Sequence, residues 1–243
     1  MKLKLESWSA LAPGMEDIES WRAWFHDEAK RDTQNDSSPK LKDIPPLLRR
    51  RFSTLGKYAA GAVLNQQLDA SQLATVFASR HGDTPLTLSL LEDIGRHQPL
   101  SPTGFSLAVH NAVGGLLSIA KKDQSAMTAI ASTENLVLST FHEALAQLQS
   151  YRQVLCVIYD VPLPDLYTAF SDSLPFPLAI SFVLTREDGE GSLLTLEQSN
   201  NALPEVSSEQ SMIDLVAFLS GCKQQLCLPF RGRSWILSGA LNV

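Results

Sequence analysis

Apolar and polar positions alternate at the start of the chain, where Lys2, Leu3, Lys4 and Leu5 lead into Trp8, and this period of two predicts an opening strand over Leu3 to Trp8. From Asp17 to Glu28 the period lengthens, because Ile18, Trp21, Trp24 and Phe25 recur at the spacing that gathers them on one side of a helix. Periodicity is then lost from Asp32 to Lys42, where Asn35, Ser37, Ser38 and Pro39 predict a flexible polar loop over residues 32–42. Pro45 and Pro46 open a second helix that the pattern carries to about Leu64. Thr75 to Ser79 read as a short buried strand and Pro85 to His97 as a helix. Ser101 is placed to cap a further helix, with Pro102 at its first position and its end near Lys122.

A strand over Ala126 to Ser132, a helix over Asn135 to Gln149 and a strand over Val154 to Tyr159 form a β-α-β unit. Leu178 to Thr185 and Leu193 to Glu197 flank Glu187, Asp188 and Gly189, the signature of a hairpin. A helix from Ser208 to Ser220 and a short apolar tail finish the pattern. Strands and helices in alternation predict α/β layers rather than a bundle or a sandwich.

Composition narrows the function classes. A chain of 243 residues, 44% of them hydrophobic, has enough apolar material for a substantial core. Its net charge of -6 makes no electrostatic case for nucleic acid, which calls for a clustered basic face. Cys156, Cys222 and Cys227 are an odd number, and Cys156 lies inside the apolar run Val-Leu-Cys-Val-Ile-Tyr, which points to a reducing compartment. No apolar stretch approaches the roughly 20 residues that span a bilayer, and the first residues lack a signal-peptide core, so no membrane insertion and a cytoplasmic location are expected.

Familiar catalytic signatures are missing: there is no G-x-x-x-x-G-K-[ST] loop, no G-x-G-x-x-G and no G-x-S-x-G. Cys222 and Cys227 lack a second pair or a nearby histidine, so they read as core cysteines and no metal is expected. His110 sits on an apolar helix between Val109 and Asn111 without a carboxylate to orient it, which favours a packed or interface histidine over a catalytic one. Ser139 and His142, three residues apart on one helix face, have the spacing of a nucleophile and base, a pairing that also arises by chance. Arg49, Arg50 and Arg51 read either as a solvated helix face or as a dock for an acidic partner. From Gly104 to Leu117, Phe105, Leu107, Val109, Val113, Leu116 and Leu117 make a helix apolar on more than one face, fit for a core or for a partner.

Several separated runs, in order, resemble one family: Trp8-Ser-Ala-Leu-Ala-Pro-Gly14, Leu47-Leu-Arg-Arg-Arg-Phe-Ser53, Val76-Phe-Ala-Ser-Arg-His-Gly82, Ser101-Pro-Thr-Gly-Phe-Ser-Leu-Ala-Val-His-Asn111 and Tyr159-Asp-Val-Pro-Leu-Pro164. They look like the short β-ketoacyl synthase-like chain length factors of aryl polyene clusters. The resemblance implies a thiolase-like (ketosynthase) fold, here only its N-terminal half, with residues 1–243 as a single half-domain. A mixed sheet of the five-stranded type, covered by helices, is expected with it. In that family a cysteine at a strand-to-helix elbow attacks an acyl thioester, and two histidines of the second half complete the chemistry.

Neither the cysteine nor the histidines have a counterpart in this sequence. By local similarity, Thr128, Ala129, Ile130 and Ala131 mimic the family's Thr-Ala-Cys-Ala and put Ile130 at the nucleophile's position. By spacing from Asn111 to Val154, Glu134 takes that place, and Glu134 is preferred because a carboxylate suits a helix N-terminus. In ketosynthases the helix matching Gly104 to Leu117 lies at the dimer interface. The resemblance therefore makes Gly104, Phe105 and Ala108, with Val109, Asn111 and Val113, the acyl-channel gate and partner interface.

The function implied is a non-catalytic chain length factor that needs no cofactor of its own. It would form a heterodimer with an active β-ketoacyl-ACP synthase and meet the acyl carrier protein through that complex, with Arg49, Arg50 and Arg51 as a docking surface. Two alternatives stand beside it, a stand-alone thioesterase or acyltransferase using Ser139 with His142 or a cysteine, and a carrier-protein binding module.

Overall fold

The computed structural model describes residues 1–27, 38–67, 73–167, 169–199 and 206–241. Its elements run β1 (Lys2–Leu11), α1 (Ile18–His26), α2 (Pro46–Arg49), α3 (Thr54–Asn65), β2 (Ala74–Ala78), α4 (Thr84–Gly95), α5 (Pro102–Leu107) and α6 (Ala112–Lys121). There follow β3 (Met127–Ile130), α7 (Leu136–Gln147), β4 (Gln153–Asp160), β5 (Leu178–Thr185), β6 (Ser192–Ser199), α8 (Ser208–Leu219), β7 (Gln225–Phe230) and β8 (Arg233–Gly239). Of the polar loop expected over residues 32–42, residues 32–37 lie outside the described residues.

All the strands join one mixed sheet of eight, in the order β3-β2-β4-β5-β1-β6-β8-β7. β3, β2 and β4 are parallel, and every other neighbouring pair is antiparallel. The sheet is wider than the five-stranded type expected, partly because the apolar tail folds into β7 and β8. Arg231 and Gly232, both with positive φ, make the tight turn between them, the backbone that best matches the twist of a hairpin.

β4 explains why the sheet carries helices on both faces. Val154, Cys156 and Ile158 enter one core with α1, α7 and α8, while Leu155, Val157 and Tyr159 enter a second with α3 and α6. Both sides of the strand are thus dry, which is why it reads as an unbroken apolar run. α3 lies close against its face because Ala59, Ala60 and Ala62 keep that contact short, and a Cβ on Gly61 would come within 2.8 Å of Leu11.

Three expectations give way to local physics. The helix expected from Pro46 to Leu64 is two: Ser53 accepts from the amide of Gly56 and starts α3 afresh, while Phe52 turns into the core. The helix expected from Pro102 to Lys122 is likewise broken, between Leu107 and Ala112, although Ser101 caps its start as expected. Finally, β5 and β6 are not a hairpin, because β1 lies between them and is antiparallel to both. The connection crosses over β1 at its bulge between Leu5 and Ser7. Gly191 makes the crossing with φ of 108°, and a Cβ there would fall on the carbonyl of Leu5.

Candidate functional site

The parallel strands β3, β2 and β4 end side by side, and the loops leaving them meet at one edge of the molecule. In open α/β sheets this is where sites form. Ile130 is the last residue of β3, and its carbonyl accepts from the amide of Ser79 at 3.2 Å and from His110 Nε2 at 2.9 Å. Four residues on, Glu134 is exposed and turned toward the β7–β8 turn. There it accepts from the backbone amide of Arg231 at 3.1 Å and from its Nε at 3.4 Å.

The cap of α7 falls to Asn135 rather than to Glu134. Asn135 is fully buried, and its Oδ1 accepts from the amide of Leu138 at 2.9 Å. The first turn of α8 completes the arrangement: Ser208 Oγ accepts from the amide of Leu136 at 3.2 Å, and Asn135 Nδ2 donates to Ser211 Oγ at 3.1 Å. Buried side chains of the protein thus take amides at the amino end of α7 that would otherwise face a ligand.

Beside the elbow, Asp160 ends β4 with only 4% of its surface exposed. It accepts from Ser79 Oγ at 2.8 Å, from the amide of Arg80 at 2.9 Å and from the amide of His81 at 3.2 Å. Burial pushes its carboxyl above the ordinary aspartate value, against the pull of those donors. Arg80 reaches across to Glu209 in the first turn of α8, where His81 Nε2 also stands 3.7 Å from the same carboxylate oxygen. Burial would raise Glu209 as well, but His81, its own amide and Arg80 outweigh it and hold that carboxyl below its ordinary value. The sequence pattern by itself assigns none of these residues a role. Their signal lies in Ser79-Arg80-His81-Gly82 directly after a buried strand and in an aspartate closing an apolar run.

The residues expected at a partner face separate. Phe105 is 64% exposed and Val109 51%, and Leu91 and Ile94 of α4 add exposed apolar surface. Gly104 and Ala108 are half-buried and Asn111 is exposed, whereas Val113 is buried against α3 and belongs to the core. Among the described residues β3 pairs only with β2 and has no strand on its other edge, while the opposite edge of the sheet, β7, carries Pro229.

The arginine triplet also divides. Arg49 and Arg50 line a groove of about 680 Å³ with Lys40, Lys42 and Lys57, while Arg51 lines a separate cleft shared with Leu107 and His110. Ser139 and His142 are not partners: the serine hydroxyl donates to Asn135 O at 2.9 Å, and the histidine ring packs edge-on against Trp235. Burial also holds His142 below its ordinary value. Cys156 is fully buried, which pushes its thiol far up and leaves it no nucleophile, and Cys222 Sγ lies 3.9 Å from His26 Nε2. Among the described residues no group of three His, Cys, Asp or Glu is placed to hold a metal, and no helix is long and apolar enough to cross a membrane.

The family model described as the N-terminal domain of beta-ketoacyl synthase matches residues 21–237. Among solved structures, the complex of a ketosynthase with its chain length factor from Xenorhabdus doucetiae is similar at 23% identity. That match has a TM-score of 0.78 and covers 98% of this chain and 99% of that one. The ishigamide ketosynthase/chain length factor matches at 12% identity, TM-score 0.70, over 98% of this chain and 99% of the other. A β-ketoacyl synthase from Burkholderia phymatum matches at 9% identity, TM-score 0.61, over 92% of this chain and 71% of its own. No curated protein matches.

Proposed function

Since the chain belongs to the family of beta-ketoacyl synthase N-terminal domains and has their thiolase-like fold, we propose that it is a non-catalytic chain length factor. In this reading it pairs with an active β-ketoacyl-ACP synthase and helps set acyl chain length during elongation of aryl polyenes. The observation that carries the reading is the state of the elbow. No cysteine stands there, and Asn135 and Ser208 accept from two of the first amides of α7, with Ser211 holding Asn135 in place, so an acyl thioester finds no thiolate and fewer amides for its oxyanion. Glu134, or Ile130 in the other register, holds the nucleophile's position without nucleophile chemistry.

The partner's place is the exposed face of Phe105 and Val109 beside the open edge of β3. That edge offers unpaired backbone groups to a second sheet, and the apolar side chains offer area to bury. Gly104, Ala108 and Asn111 border this face and belong to the gate, while Val113 supports it from behind. The groove of Arg49 and Arg50 is the docking surface for the acidic carrier protein, strengthened by three lysines on a chain of net charge -6. We place the complex in the cytoplasm, in keeping with free cysteines and carrier-bound substrates.

The Xenorhabdus structure joins a ketosynthase to its chain length factor, and the present chain matches a chain of that complex over nearly its whole length. This supports the same division of labour here. Co-expression with the ketosynthase of the same pathway tests it. An equimolar complex that is soluble only on co-expression is expected, with Phe105→Ala giving longer products. A solitary monomer that ignores the ketosynthase, or one that turns over acyl thioesters alone, would refute it.

A further inference from the structure

His110 stands in the break between α5 and α6, and its ring reaches two other parts of the molecule. Its Nε2 lies 2.9 Å from the carbonyl of Ile130, and because a carbonyl only accepts, that nitrogen carries the proton. Its Nδ1 faces Gly82 in the β2–α4 loop, where a Cβ would come within 3.1 Å of the ring and φ is 63°. The ring thus ties a loop, the end of the strand before the elbow, and the turn that carries Val109.

The break itself needs an explanation, because apolar residues recur at helical spacing straight through it and predict one continuous helix. Instead, α5 closes with the amide of Ala108 on Phe105 O, and α6 reopens with the amide of Ala112 on Val109 O. Both are three-residue turns, which are poorer than the bonds a continued helix would make. Of the side chains from Ala108 to Asn111, His110 is the one that hydrogen-bonds across to the sheet among the described residues. Without that bond, a local preference for continuous helix competes with the bend.

We propose that His110 is a positioning residue: its hydrogen bond to Ile130 holds the α5–α6 bend in place and so fixes where Phe105 and Val109 meet the partner's acyl channel. It acts through those side chains and touches no substrate. The length-setting part of the proposal rests on the chain length factor reading above. The latch itself does not, because it concerns this chain's own backbone.

The test compares wild type, His110→Ala and His110→Gln in the co-expressed complex, or in the chain alone where no complex forms. Glutamine is the informative variant because its Nε2 donates from nearly the same place as the imidazole Nε2. Hydrogen exchange of the amides from Leu107 to Ala112 is read first. In His110→Ala it is expected to speed up by about fivefold, what one net hydrogen bond is worth in population, and in His110→Gln to return toward wild type. The ratio of adjacent product lengths is read second, and it should change in alanine and recover in glutamine at equal yield of complex.

Unchanged exchange in His110→Ala overturns the latch whatever the products do. Faster exchange with unchanged product lengths in an active complex overturns the length-setting role. If wild type itself forms no complex, the chain length factor reading fails, and the exchange result still decides the latch. Should the alanine variant fail to fold, His110→Asn takes its place, since its shorter amide leaves Ile130 out of reach.

Discussion

Replacing Asp160 measures how much the buried network at the strand ends contributes to stability. In Asp160→Ala the hydroxyl of Ser79 and the amides of Arg80 and His81 lose their acceptor together. An unsatisfied buried donor costs about 1–3 kcal/mol, and the two amides are only part-buried, so about 1 kcal/mol each is the fair figure for them and for a hydroxyl free to rotate. The sum is about 3 kcal/mol, and relief from burying a carboxylate offsets only part of it. Asp160→Asn keeps the shape and the oxygen that serves Ser79 and His81, but turns an NH2 group on the amide of Arg80, a cost of about 1–2 kcal/mol. For a chain of this size each kcal/mol is about 2–4 °C in Tm, so alanine should lose about 6–12 °C and asparagine about half of that. Thermal and urea unfolding at neutral pH, with unchanged urea slope, check the order wild type, asparagine, alanine. An alanine variant within about 0.5 kcal/mol of wild type, the scatter of an ordinary surface substitution, would refute the idea that these bonds hold the strand ends together.

Glu209→Gln probes the other end of the same network. Its carboxyl is held below the ordinary value of 4.5, so the stability it adds is present above that value and is lost as pH falls through the lower, folded-state value. Wild type should therefore exceed Glu209→Gln by about 1.5–3 kcal/mol near neutrality, with the gap closing in acid, as urea titrations across pH would show. Gly191→Ala should cost about 3 kcal/mol or more, because it combines a disfavoured φ with a clash on Leu5; a variant with wild-type Tm would contradict the crossing. Glu134→Cys should yield no condensing activity without the partner, read by product formation from acyl and malonyl carrier proteins, because a thiolate alone lacks the two histidines that the family's chemistry uses.

What the sequence made legible was whatever a short window decides. Lys2 and Lys4 alternating with buried Leu3 and Leu5 announce β1, the aromatic spacing of Trp21, Trp24 and Phe25 announces α1, and Ser101 caps its helix as its position foretells. The acidic turn between β5 and β6 looks like a hairpin for the same reason, but no window near residue 187 contains the strand that comes between them. Asp160 is similar: its partners at residues 79–81 come from another strand end, and burial of a carboxylate is visible only once they meet. His110 stands out in the sequence as a packed or interface histidine, yet its part in bending the helix depends on Ile130, twenty residues away. The candidate site was legible in its elbow and its apolar helix, and hidden in the contacts that plug the one and bend the other.

The passage of β1 between two consecutive strands also sets an order of assembly. Both neighbours of β1 come from the far part of the sequence, so the strand has no partner on either edge until residues beyond 178 have been made. Such distant pairing is slow, and it leaves a nascent strand open to mispairing until those partners arrive. Once the segment through Gly191 has passed over β1, the situation reverses. Pulled along its own axis, β1 would have to shear two ladders at once instead of unzipping one, so a strand near the start of the sequence is secured late and then resists withdrawal from both sides.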